Sequence, residues 1–65
     1  MPSDLDIYRS AKLLSGQHGA DAEIYAATRA DEMLAKGSLA GRATWMRIAK
    51  AIREMTSVSE DELPN

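Results

Sequence analysis

At 65 residues and a net charge of -2, the chain has the size of one domain, and a core drawn from that length shields only a modest share of it from water. It contains no cysteine and one histidine, which excludes disulfides, thiolate metal sites and imidazole clusters. The apolar fraction of 45% is rich in alanine, with no phenylalanine and only Tyr8, Tyr25 and Trp45 as aromatics, so a thin core is expected and self-association is the remaining staple.

The first helix is expected to open at Ser3, whose hydroxyl can accept from the amide near Asp6, with Asp4 and Asp6 at the positive end of the helix dipole. At 3.6 residues per turn, Ile7, Tyr8, Ala11 and Leu14 share a side, and Gly16 or Gly19 ends the helix, which is predicted over residues 3–15. Asp21 is a candidate N-cap for a second helix over 21–36, with Gly37 as its stop. Its inward side, Ala22, Ala26, Ala27, Ala30, Met33 and Leu34, is mostly alanine. Ser38 offers a third cap for a helix over 38–55, in which Gly41, Trp45, Ile48, Ala49, Ile52 and Met55 align. Trp45 is the expected core anchor, filling the space above the alanines. The links are too short for crossovers, so the reading is all-α: an antiparallel three-helix bundle over residues 1–55. The polar, acidic run 56–65 buries too little to offset its ordering entropy and is expected to be a disordered tail.

The order of residues also resembles a family of short, uncharacterised bacterial helical proteins. The likeness rests on Asp6-Ile7-Tyr8-Arg9, His18-Gly19, Arg29-Ala30-Asp31-Glu32, Gly41, Trp45, Ile48 and Ala51-Ile52, and spans Leu5 to Met55. The family carries a domain of unknown function, so the resemblance implies a helical fold and no activity.

No apolar run is long enough to cross a bilayer, and Met1-Pro2-Ser3-Asp4 lacks the basic and then apolar order of a secretory signal, which leads to the expectation of a cytoplasmic protein. His18 could serve as a general base, but it stands alone: Ser10, Ser15 and Asp21 form no recognised constellation with it, and a role at the negative end of the first helix dipole is the better reading. No catalysis, cofactor or metal is therefore expected. Glu23, Asp31 and Glu32 do not make a metal site, since Asp31 and Glu32 are adjacent and point apart on a helix. Arg29, Asp31 and Glu32 are expected to pair helix two with Asp6 and Arg9 of helix one.

Charge is segregated. Residues 38–55 hold four basic side chains and one acidic, or +3, while the rest of the chain holds four basic and nine acidic, or -5. Arg42, Arg47, Lys50 and Arg53 fall in an arc of roughly 140° opposite the apolar side of helix three. They are the candidate surface for an acidic protein partner. DNA is the alternative partner for such a helix, and a small transcriptional regulator the alternative function, although the arc lacks Asn or Gln for adenine and the acidic remainder repels a duplex. Leu5, Leu13 and Met46 fall off the main apolar sides and are the candidates for a homodimer or partner-helix contact. The primary expectation is a helical protein-interaction module, an adaptor or regulatory protein.

Overall fold

A computed structural model describes residues 2–62, and the side chains of residues 2–56. Every regular element among them is helical: α1 (Asp4–His18), a single 3-10 turn (Gly19–Asp21), α2 (Ala22–Ala35) and α3 (Leu39–Glu62).

Ser3 caps α1 from an extended backbone (φ -72°, ψ 165°), its Oγ accepting from the Asp6 amide at 3.1 Å. The helix runs one turn beyond the expected Ser15. Gly16 stays helical, and the stop comes only at Gly19, where φ turns positive (56°) and the amide donates to the Ser15 carbonyl. Asp21 makes no side-chain cap. The 3-10 turn leading into α2 already holds it near φ -90°, ψ -1°, whereas a capping carboxylate needs an extended backbone to reach back over the first turn.

Between α2 and α3 only Lys36, Gly37 and Ser38 intervene, and their hydrogen bonds are all directed at the helix ends. Gly37, at φ 82°, donates to the Leu34 carbonyl at 3.0 Å, and Ser38 donates to that of Met33 at 2.9 Å, which satisfies carbonyls that α2 leaves open. Ser38 then caps α3 through its Oγ, accepting from the Gly41 amide at 3.1 Å. At that corner the helices nearly touch: a Cβ on Gly41 would lie 2.9 Å from Met33 and 2.8 Å from Ser38 Oγ. α3 passes Met55 and continues to Glu62, past the point where the tail is expected to begin. No glycine or proline follows Gly41 until Pro64, so the backbone meets no stop signal in between, and Thr56 Oγ1 donates back to the Ile52 carbonyl at 3.0 Å. Residues 63–65, the end of the expected tail, lie outside the described residues.

The core is thin, as the composition predicts. Ile7, Ala11 and Leu14 of α1, Ala22, Ala26 and Ala30 of α2, and Ile48, Ala49 and Ile52 of α3 are buried. Ile7, Leu14, Ile48 and Ile52 are the only large side chains among them, each contributing about 1.5 to 3 kcal/mol. Trp45 is not in this set. It is partly buried and packs against the edge of the cluster with Ala51 and Met55. The reason lies in α2: Ala22, Ala26 and Ala30 are fully covered, and the side chains of α3 buried beside them are Ile48, Ala49 and Ile52. The ring lies at the rim instead.

Candidate functional site

The cations of α3 divide into two pairs. Arg47 reaches the first turn of α1, bonding the Asp4 carboxylate with one guanidinium nitrogen and donating to the Pro2 carbonyl at 3.3 Å with another. Arg53 reaches the start of α2, where Nε and a terminal nitrogen meet one oxygen of Glu23 at 2.9 and 2.8 Å. Half of the expected partner surface therefore braces α3 to its neighbours. The Asp4 side chain is fully exposed, and the Arg53 contact, with side chains 69% and 38% exposed, contributes at most about 1 kcal/mol. Such contacts set register more than stability.

Arg42 and Lys50 enter no ion pair among the described residues. Lys50 borders two open grooves. One, of about 310 Å³, runs between α1 and α3 with Asp4, Tyr8, Arg47 and Glu54 on its walls. The other, of about 340 Å³, lies wholly on α3, where Met46 and Ala49 are flanked by Arg47, Lys50 and Arg53. Leu5, Leu13 and Met46 are 55%, 61% and 44% exposed, and Met46 lies in the groove on α3.

A second constellation escapes the sequence reading. His18, in the last turn of α1, stacks on Tyr25, ring centroids 4.2 Å apart and 17° from parallel. Tyr25 meets Trp45 edge-on at 6.2 Å, and the Arg29 guanidinium lies 5.6 Å from the centroid of the indole. Arg29 does not join α2 to α1 through Asp6 or Arg9. It pairs within α2, with Glu32 at 2.8 Å, and its buried Nε has no acceptor among the described residues. Tyr25 and Arg29, one turn apart at the border of the alanine face, are the sequence signal that could have disclosed this rim, since both flank the position an indole takes when it is kept out of the centre. The outer edge of Trp45 also lines an open groove of about 580 Å³ with Pro2, Leu39, Ala40, Gly41 and Thr44.

Among the described residues no cluster of three or more His, Cys, Asp or Glu is spaced to hold a metal, and no helix is long and apolar enough to cross a membrane. No family model matches the chain, and neither a curated protein nor a solved structure matches it.

Proposed function

We propose that the chain is a non-catalytic helical interaction module, an adaptor or regulatory protein, whose three helices form an antiparallel bundle and whose α3 presents Arg42 and Lys50 to an acidic protein surface. The bundle arrangement is supported by two approaches at opposite ends of α2 and α3: Met33 to Gly41, and Glu23 to Arg53. The resemblance to short bacterial helical proteins is part of the same proposal.

One observation carries the interaction reading: among the described residues the chain exposes more large apolar side chains than it buries. Leu5, Tyr8, Leu13, Ile24, Tyr25, Leu34, Leu39 and Met46 are exposed, against the four large aliphatics of the core. Single exposed apolar residues are ordinary on a monomer, but such an excess in so small a domain favours covering by a partner. The test uses Arg42 and Lys50, which enter no ion pair among the described residues. Arg42→Glu with Lys50→Glu should preserve helicity and abolish enrichment of an acidic partner from the native cell extract; unchanged enrichment removes the role of this surface. Retention of duplex DNA at low salt, lost steeply as salt rises, would replace the module with a DNA-binding regulator. The commitment of Arg47 and Arg53 to Asp4 and Glu23 leaves fewer cations for phosphates and weighs against that alternative.

A further inference from the structure

Among the described residues α1 closes one face of the pair formed by α2 and α3. Its Ile7, Ala11 and Leu14 join Ala22, Ala26, Ile48 and Ile52 in one cluster. On α2, Asp31 and Leu34 project roughly 80° or more away from Ala22 and Ala26, and on α3, Arg42 and Met46 project at least about 80° from Ile48 and Ile52. Leu34 and Met46 are 48% and 44% exposed. Asp31 and Leu34 on α2, like Arg42 and Met46 on α3, thus project away from the buried cluster. α2 itself carries Glu23, Asp31 and Glu32 against Arg29, or -2, while residues 38–55 carry +3.

We propose that this uncovered face is the interface of a symmetric homodimer in which α2 of each copy lies on α3 of the other. The inference rests on the reading of α3 as a partner surface and names the partner: the acidic helix that the basic one meets is α2 of a second copy. Charge selects the symmetry. A two-fold axis lying in the interface and running along the helices sets α2 against α3 at both contacts, opposite charges together. An axis across the helices would set α2 on α2 and α3 on α3, like charges together, which costs rather than stabilises. In the favoured arrangement each α2 runs counter to two α3 helices, one from its own chain and one from the partner, which is the geometry of a four-helix bundle.

Sedimentation equilibrium of the full chain, from low micromolar to several hundred micromolar, tests the proposal, with far-ultraviolet circular dichroism reporting helicity for every variant. A species of twice the chain mass should accumulate with concentration, and its dissociation constant should rise as salt is added. Met46→Glu should weaken association by about tenfold or more with helicity retained, because it places a charge within the interface. Leu13→Glu, on the far side of α1, should leave association unchanged. A monomer throughout the range, association strengthened by salt, or a dimer that Leu13→Glu breaks and Met46→Glu spares would each overturn the proposal. Should the chain be monomeric while Arg42→Glu with Lys50→Glu still abolishes capture of a foreign protein, the dimer fails and the module reading stands.

Discussion

Replacing Trp45 by alanine is the sharpest test of the packing. The indole is partly buried, so taking about 150 Å² of its surface as removed from water, at about 25 cal/mol per Å², gives about 4 kcal/mol. A compact denatured state already hides part of that area, which lowers the figure to roughly 3 kcal/mol. The cation–π contact with Arg29 is worth about 0.5 to 1 kcal/mol, but the freed guanidinium regains water and offsets some of it. No closed cavity penalty applies, because the ring borders an open groove with Pro2 and Leu39. The net loss is about 3 kcal/mol from a total of roughly 3 to 10 kcal/mol for a domain of this length, and a fall in melting temperature of roughly 12 to 24 °C. Thermal and urea melts followed by circular dichroism, all at one protein concentration, measure it. Trp45→Phe, which keeps a ring against Tyr25 and Arg29, should fall between the wild type and the alanine variant. A drop of only a few degrees on Trp45→Ala would refute the placement of the ring against the core edge.

Two further substitutions test the backbone. Gly19→Ala should cost about 1 to 2 kcal/mol in the same melts, since the residue sits at φ 56° and ψ -129°, where a Cβ is strained; a neutral outcome would mean that α1 ends elsewhere. Gly41→Ala should destabilise despite alanine's better helix propensity, because its Cβ would lie 2.9 Å from Met33, and Met33→Ala should relieve part of that loss. A double-mutant cycle without coupling would contradict the close approach of α2 and α3 at that corner.

What could be read from the sequence was whatever depends on neighbours a few residues away. The caps at Ser3 and Ser38, the stop at Gly37 and the apolar register of α3 through Ile48, Ala49 and Ile52 all follow from local spacing. Helix ends were harder, because Gly16 and Gly19 are equivalent as letters and only the path of the chain decides which takes the positive φ. Trp45 shows a different failure. Alanine spacing announces a surface free of bulk, but whether a large side chain fills that space or the backbones close over it depends on the separation of α2 and α3, a tertiary quantity. The same holds for the cations: one projection places Arg42, Arg47, Lys50 and Arg53 together, yet Asp4 and Glu23 claim Arg47 and Arg53 only because the helix starts that carry those acids come alongside α3.

The dependence of α1 on Ile48 and Ile52 also sets an order of events during synthesis. Leu14 leaves the ribosome 38 residues ahead of Ile52, an interval of about 2 to 8 s at ordinary elongation rates. Throughout it, Ile7 and Leu14 have only the alanines of α2 to lean on. The nascent chain therefore carries a greasy first helix that must wait for α3 to emerge, and in that window holdase chaperones or a neighbouring nascent copy compete with the chain's own later helix.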